Sequence, residues 1–408
     1  MKTKFALAGA VALAALALPA QAEPLRIAIL ESLSGSQTST GRLFATAIHF
    51  AVEEANARGG FNGEMIVVTE YDNGGSPITA AAKFQQVAAD GAHVVMSGSS
   101  SAVTGQISED VRKYNLRNPD KRIIFYSPGA EAMEITGEKC HFHSFRMTTT
   151  APMRVTALVK VMKEDGTLGR RVYSINQNYS WGMDMERAIK ASAASGGYEV
   201  VESTLHEVNK IQDFAPFVAK IQAAKPDTVI TGNWSNDLLL LMKAVGDAGL
   251  KARFATTFLD QPGNIGNAGT VAMGHYVANP FNIELTDGKF PADYEKFSGH
   301  IPAYIEPQTV NTVRMLLKAG DAADFKKGRI DATQLALAIE NTRMETEMGT
   351  WSIRKEDHQL LLPVVVSRVE KGVKYPADGT DLGFRPIKVL PAEDVVYPVQ
   401  ASCQMRRP

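Results

Sequence analysis

Short apolar runs alternate with longer, periodically apolar stretches along the first third of the chain. Such runs are typical of strands buried on both faces of a parallel sheet, and apolar residues at every third or fourth position are typical of helices. The runs predict strands at Leu25–Leu30, Met65–Tyr71, Ala92–Met96 and Ile123–Tyr126, with helices between them. This order, β-α-β-α-β-α-β, indicates a doubly wound parallel α/β sheet.

The same alternation starts again in the middle of the chain. Further helices are predicted at Arg154–Glu164, Met183–Ser195, Phe214–Ala224 and Asn236–Ala248, and further strands at Arg171–Ile175, Tyr198–His206, Thr228–Thr231, Phe254–Thr257 and Gly274–Ala278. Two similar α/β halves in series predict two lobes with a crevice between them. Beyond Pro280 we expect helices at Gln308–Ala319 and Ala332–Glu340, and a hairpin-like pair at Trp351–Ile353 and Leu360–Val369.

The N-terminus has the pattern of an export signal. Two lysines precede the apolar run Phe5–Leu18, and a small-x-small sequence ends at Ala22. Residues 1–22 are therefore predicted to be a signal peptide, with Glu23 opening a free, soluble product. No lipobox cysteine is present, and no later segment has the ~20 apolar residues that a bilayer span needs.

Composition and charge narrow the functional classes. The chain of 408 residues is 45% hydrophobic and 21% charged, with a formal net charge of −1, which favours neither nucleic acid nor an anionic membrane as partner. The sequence has no G-x-S-x-G elbow, Walker loop or H-E-x-x-H helix, and no G-x-G-x-x-G opens the first helix. We expect neither catalysis nor a cofactor.

The two cysteines, Cys140 and Cys403, both belong to the exported part. In an oxidising compartment they are a candidate disulfide, and neither lies in a C-x-x-C pair that would suggest a metal. His141 and His143 follow Cys140 with the alternation of a strand, which we expect at a surface or interface.

The joint between the third strand and the next helix is the first candidate site. Ser97–Ser101 contains only serines and one glycine, and the apolar period of a helix begins at about Ala102. Free N–H groups, serine hydroxyls and the positive end of the helix dipole favour an anion there. The alternative is that one serine only caps the helix.

The order of several motifs resembles one known family over nearly all of residues 23–368. After the leader come LRIAIL, SLSGSQTSTGR, HFAVEEANARGGFNGEMI, DNGGSP, GSSSAVT, FYSPGAEA, INQNYSWG and GDAGLK. This series resembles periplasmic solute-binding proteins of the branched-chain amino-acid (Leu/Ile/Val) type. The resemblance implies two Rossmann-like lobes joined by three crossovers, closing on a ligand that is passed to an inner-membrane ABC permease.

With that fold, we expect the first lobe at residues 23–148 with about 281–350, and the second lobe at 149–280 with about 351–372. Residues 373–408, rich in proline, are expected to be a wrapping tail. The expected protein is a periplasmic monomer. A sensor that feeds a regulatory partner is a further alternative.

The resemblance also implies ligand-binding residues. The α-carboxylate is expected at the serine joint and the following S-P-x-A turn, and an aromatic wall is expected from the second lobe. The first group maps to Ser99, Ser100, Ser101, Ala130 and Glu131, and the second to Tyr179, Trp181 and Trp234.

This chain departs from the family pattern where an amino-acid binder carries an acid for the α-ammonium. Phe258 stands at that position, Asp260 follows two residues later, and Glu131 replaces an expected threonine. The sequence therefore predicts a small carboxylate with an aromatic or apolar body. An amino acid whose ammonium pairs with Glu131 or Asp260 is the alternative.

Overall fold

Two mostly parallel sheets carry the chain in the computed structural model, which describes residues 22–323, 325 and 328–408. The predicted signal peptide lies, except for Ala22, outside these residues. No helix of the described part is both long and apolar enough for a membrane span. The strands are β1 (Arg26–Glu31), β2 (Val67–Asp72), β3 (Val94–Met96), β4 (Ile124–Ser127), β5 (Ser144–Arg146), β6 (Arg171–Gln177), β7 (Glu199–His206), β8 (Thr228–Thr231), β9 (Arg253–Thr256), β10 (Tyr276–Asn279), β11 (Arg343–Thr346), β12 (Gly349–Arg354), β13 (Gln359–Leu361), β14 (Val364–Lys371) and β15 (Leu382–Leu390).

Helices cover both sheets. They are α1 (Thr38–Ala57), α2 (Pro77–Ala89), α3 (Ser101–Arg117), α4 (Ala151–Glu164), α5 (Ser180–Ala191), α6 (Ala193–Gly196), α7 (Ala215–Ala224), α8 (Ser235–Ala248), α9 (Asn264–Ala268), α10 (Lys289–Ser298), α11 (Ile305–Asp321), α12 (Ala332–Asn341) and α13 (Ala392–Val395). Capping side chains and prolines fix where two of these helices begin. Ser76 and Thr150 each accept a hydrogen bond from an N–H of the first turn of α2 and α4, and each is followed by a proline in that turn.

Each sheet belongs to one lobe. The first has the order β11-β12-β13-β5-β4-β3-β1-β2, and the second has the order β15-β14-β10-β9-β8-β6-β7. Strands β1 to β5 pair in parallel, as do β6 to β10, whereas β11, β12, β14 and β15 add antiparallel pairs at one side of each sheet. The predicted fold class, a two-lobed α/β structure with parallel sheets, is confirmed.

The described chain passes between the sheets after β5, after β10 and after β13. The last passage lies between Leu361 and Val364, and this corrects the boundary expected near residue 350. β12 and β13 pair with each other and, through β13, with β5 of the first lobe. The start of the predicted run Leu360–Val369 therefore forms the expected hairpin with β12, whereas the rest of that run, in β14, joins β10 of the second lobe.

The C-terminal segment contains more structure than the sequence indicates. β15 pairs with β14 in the second sheet, and Asp394 of α13 forms an ion pair with Lys160 on α4, with 2.8 Å between Nζ and Oδ2. The chain then reaches the first lobe, where Gln400 Nε2 donates to the carbonyl of Met133 at 2.7 Å. The predicted disulfide between Cys140 and Cys403 is present.

The two histidines beside Cys140 differ from the expectation. His141 and His143 are buried and lie in the turn that precedes β5, rather than on a surface strand. Burial lowers the pKa of His141 to about 3 and that of His143 to about 4. Among the described residues, no group of histidines, cysteines and acids is arranged to hold a metal ion.

Candidate functional site

A small cavity lies between the lobes at the carboxyl ends of the parallel strands. Helix α3 begins there after β3, α5 after β6, and α8 after β8. The carboxyl ends of strands and the N-termini of helices coincide in such folds, so three positive dipole ends face one cavity. Its volume is about 20 Å³, which is room for roughly one water molecule and not for an organic ligand without movement of the walls.

The structure brings most of the predicted site residues to this cavity. The predicted residues that line it are Ser99, Ser100, Ser101, Glu131, Tyr179, Trp181, Trp234 and Phe258. Ala130 is buried beside it and donates its N–H to Ser127 Oγ at 3.3 Å, without lining the cavity. Asp260 lies outside it, on the wall of a neighbouring cavity.

The serine joint already holds a carboxyl group of the protein itself, that of Glu31. The carboxylate of Glu31 accepts hydrogen bonds from the N–H of Gly98, from the N–H of Ser99 at 3.2 Å and from the Ser99 hydroxyl. Burial raises the pKa of Glu31 from 4.5 to about 7, although these hydrogen bonds oppose the rise. Ser100 is the N-cap residue of α3, but its side chain makes no capping hydrogen bond. The alternative that a serine side chain only caps this helix is therefore wrong.

The Glu131 carboxylate faces the buried guanidinium of Arg154, which comes from α4 of the other lobe. One oxygen, Oε1, pairs with Arg154 and accepts a hydrogen bond from Thr148 Oγ1 at 3.2 Å. The other oxygen, Oε2, is buried and has no hydrogen-bond partner among the described residues. Because buried carboxylate oxygens are nearly always hydrogen-bonded, Oε2 is an unused acceptor on a residue that lines the cavity.

Arg154 connects both lobes around this carboxylate. Its guanidinium also donates to the carbonyls of Thr257 and Ala278, at 2.8 and 2.7 Å, and to the Tyr304 hydroxyl at 3.0 Å. Burial by itself would lower the pKa of Arg154, but Glu131 and Tyr304 together outweigh burial, so the pKa is raised. Arg154 is therefore a permanent buried cation that balances the charge of Glu131.

The second lobe supplies an aromatic wall with fixed ring orientations. Trp181 Nε1 donates to the carbonyl of Gly232 at 2.7 Å, and Trp234 Nε1 donates to the Tyr179 hydroxyl at 2.7 Å. The rings of Trp181 and Phe258 meet edge to face, with 5.7 Å between centroids. Because the indole N–H groups are satisfied within the wall, the rings present apolar surface to the cavity.

A glycine allows Trp181 to occupy this position. Gly182 follows it in the first turn of α5, and a Cβ built there would lie 1.8 Å from the carbonyl oxygen of Gln177. Any side chain at residue 182 would push α5 away from β6, and with it the indole ring.

Sequence reasoning missed several residues of the site. Glu31, Arg154, Tyr304 and Gln261 were not predicted, although Glu31 ends an apolar strand and Arg154 interrupts the apolar face of a helix. A charged residue within an apolar strand or on the apolar face of a helix was the signal that the sequence offered, because a buried charge needs a partner. The identity of that partner depends on the fold.

Comparison with known proteins agrees with the two-lobed fold. The sequence profile of the family described as periplasmic binding protein matches residues 24–374. The Leu/Ile/Val-binding protein homolog 4 of Brucella abortus is 53% identical over 415 residues, covering 100% of both chains. The chain belongs to the periplasmic binding protein family.

Solved structures support the same family assignment for this periplasmic binding protein. The closed conformation of the leucine-, isoleucine-, valine-, threonine- and alanine-binding protein from Brucella ovis is 54% identical, with a TM-score of 0.89, and the match covers 95% of this chain and 100% of that one. A solute-binding protein of an ABC transporter from R. palustris, solved with benzoate, is 19% identical with a TM-score of 0.74, over 90% of this chain and 98% of that one. At that identity the second match shows the fold alone.

The resemblance found in the sequence is thus confirmed. Proteins of this type bind small-molecule ligands and work with ABC permeases.

Proposed function

We propose that this protein is the exported, monomeric substrate-binding component of an ABC importer. It acts in the periplasm without catalysis and presents its ligand to an inner-membrane permease. The export pattern at residues 1–22, the two-lobed fold and the interlobe cavity support this proposal. The signal-peptide part is tested by sequencing the N-terminus of the protein isolated from the periplasmic fraction, where Glu23 should be the first residue.

The proposed ligand is an α-amino acid with a small apolar side chain. The observation that carries this choice is Oε2 of Glu131, a buried acceptor at the cavity with no partner among the described residues. A ligand ammonium buried without a partner costs several kcal/mol, and this oxygen removes that cost. Arg154 keeps the surroundings neutral before the ligand arrives.

The remaining parts of an amino acid also find complements. The first N–H groups of α3, at Ser100 and Ser101, suit the α-carboxylate, because Glu31 already occupies the Ser99 end of the joint. The wall of Trp181, Trp234 and Phe258 suits an apolar side chain. Since the cavity is only about 20 Å³, the lobes open to admit the ligand and close around it.

The names of the relatives support the same class. The relative from Brucella abortus is called a Leu/Ile/Val-binding protein homolog, and the solved protein from Brucella ovis is described as binding five aliphatic or hydroxylated amino acids. Their identity to this chain, 53% and 54%, extends over the residues of both lobes.

Calorimetry with three related compounds tests the proposal without altering the protein. Leucine carries both charged groups, isocaproate lacks only the ammonium, and isoamylamine lacks only the carboxylate. Losing either group should weaken binding by at least about thirtyfold, because a buried polar partner is then left unsatisfied. Equal affinity for leucine and isocaproate would exclude Glu131 as an ammonium partner.

An aromatic or apolar carboxylate without an ammonium is the second candidate. The aromatic wall favours it, since Trp181, Trp234 and Phe258 offer flat surfaces to a ring. Benzoate belongs in the same calorimetric series. Tight benzoate binding with weak leucine binding would select this candidate, and a thermal-shift screen that finds stabilisation without turnover would support a receptor over an enzyme.

A further inference from the structure

A second and larger cavity adjoins the one described above. It has a volume of about 610 Å³, within the roughly 300–1,000 Å³ range of small-molecule sites. Its walls come from α1 of the first lobe, α8 of the second, the crossover around residues 281–304 and the segment 375–378. Of the described lining residues, Thr40 and Gln261 belong to both cavities.

Two residues on the wall of this larger cavity each carry a buried polar atom that forms no hydrogen bond among the described residues. Gln261 is 5% exposed, and its Oε1 accepts the N–H of Ser235 at 3.1 Å, but its Nε2 has no partner among the described residues. Asp260 accepts the N–H of Tyr304 at 3.1 Å through Oδ2, and the side chain of Asn279 also lies close enough to its carboxyl to oppose the rise of its pKa. The buried Oδ1 forms no hydrogen bond among the described residues. Buried polar atoms are rarely left in this state in proteins.

The charges around Asp260 leave it without a cation of its own. Glu131 is paired with Arg154, and Glu306 is paired with His300, with 2.8 Å between Oε1 and Nε2. Asp260 forms no ion pair among the described residues. Burial raises its pKa to about 7, and the charge of the nearby Arg154 opposes this rise.

The other charged groups on the wall are also mostly acidic. Glu284 and Glu295 line the cavity, and Asp378 accepts the N–H groups of residues 263, 265 and 266. His300 is the basic side chain among the described lining residues. A cationic guest is therefore favoured over an anionic one.

The rest of the wall is apolar and aromatic. Phe281, Tyr304, Tyr375 and Phe384 present rings, and Ile283, Ile301 and Pro302 add aliphatic surface. Rings next to carboxylates are the usual surroundings of an organic ammonium, which is attracted to both.

We propose that this cavity is a second ligand site, which takes a small primary amine with an apolar body and places the ammonium on Asp260 Oδ1. Gln261 Nε2 can donate a hydrogen bond to an acceptor on such a ligand. Because the walls belong to both lobes, an occupant also favours the closed arrangement. By linkage it strengthens the binding of the ligand in the first cavity.

The test is calorimetry of the mature full chain with benzylamine and with benzyl alcohol, its uncharged analogue. We expect one benzylamine to bind per chain, and benzyl alcohol to bind at least about tenfold more weakly. Asp260→Asn should reduce benzylamine affinity by about the same factor, because an amide can still accept from Tyr304 but carries no charge. Asp293→Asn, which removes an exposed acid of α10 outside the cavity, is the matched control and should not change it.

A second variant covers the case in which Asp260→Asn does not fold. Ala303 is half-buried on the cavity wall, so Ala303→Trp fills the space and should abolish benzylamine binding. Three outcomes would overturn the proposal: equal binding of the alcohol and the amine, unchanged amine affinity in a folded cavity variant, or competition between benzylamine and leucine for one site. The first two outcomes do not depend on leucine being the natural ligand, because benzylamine binding is measured directly.

Discussion

The guanidinium of Arg154, on the second lobe, forms an ion pair with the carboxylate of Glu131, on the first lobe, and both side chains are buried. The pair joins the lobes and leaves the other oxygen of Glu131, a residue that lines the cavity, without a hydrogen bond among the described residues. A single contact therefore links the closed arrangement to the group that we assign to the ligand ammonium.

Arg154→Met should strongly destabilise the protein. It leaves the Glu131 charge buried without a partner and frees the carbonyls of Thr257 and Ala278. We expect a loss of about 3–5 kcal/mol in the free energy of unfolding, measured by urea denaturation.

Two further variants calibrate this loss. Arg42→Met removes an exposed pair with Glu70 and should cost about 0–1 kcal/mol. Adding Glu131→Gln to Arg154→Met removes the orphaned charge, so the double variant should be more stable than Arg154→Met alone. A double variant that is less stable by the sum of the single losses would show that the two residues act independently.

The stability of the protein should depend on pH through Glu31. Its pKa is raised from 4.5 to about 7 by burial, so the folded protein binds this proton more tightly than the unfolded chain. The stabilisation by protonated Glu31 is complete at low pH and is lost as pH rises from about 5 to about 7, by on the order of 3 kcal/mol.

Glu31→Gln isolates this contribution. The difference in unfolding free energy between the natural protein and the variant should fall over that pH interval. Buried histidines such as His141 and His275 have lowered pKa values and act in the opposite direction, but they cancel in the difference. A difference that stays constant with pH would mean that Glu31 titrates normally.

Ligand binding should change the fluorescence of Trp181 and Trp234. Both rings line the interlobe cavity, whereas Trp351 is buried in β12 of the first sheet and does not. The Trp351→Phe variant should therefore keep the full leucine-induced signal, and the double variant Trp181→Phe/Trp234→Phe should lose it. A signal that disappears with Trp351 alone would place the ligand elsewhere.

The disulfide between Cys140 and Cys403 should stabilise the protein by fixing the C-terminal segment to the first lobe. The bond closes a loop between residues 263 positions apart. Cys403→Ser should lower the free energy of unfolding by about 2–5 kcal/mol. A reducing agent should have a similar effect on the natural protein and none on the variant; two free thiols in the denatured, unreduced protein would contradict the bond.

The sequence by itself determined the local elements and their order. The apolar run at Thr228–Thr231 predicted β8 with its exact bounds, and the period after Ser101 predicted α3. These predictions succeed because a strand buried on both faces is a continuous apolar run, whereas a helix buries one face and leaves its period in the sequence. The motif order was equally local, and it was enough to identify the family.

The tertiary structure alone decided which distant residues meet. β13 joined the first sheet and β14 the second, although one apolar run, Leu360–Val369, extends into both, because strand pairing is set by neighbours far away in the chain. Arg154 meets Glu131 and Tyr304 across the lobes, and Glu31 meets Ser99 across two strands. A buried charge is stable only where several separate segments supply its partners, and no periodic pattern records that requirement.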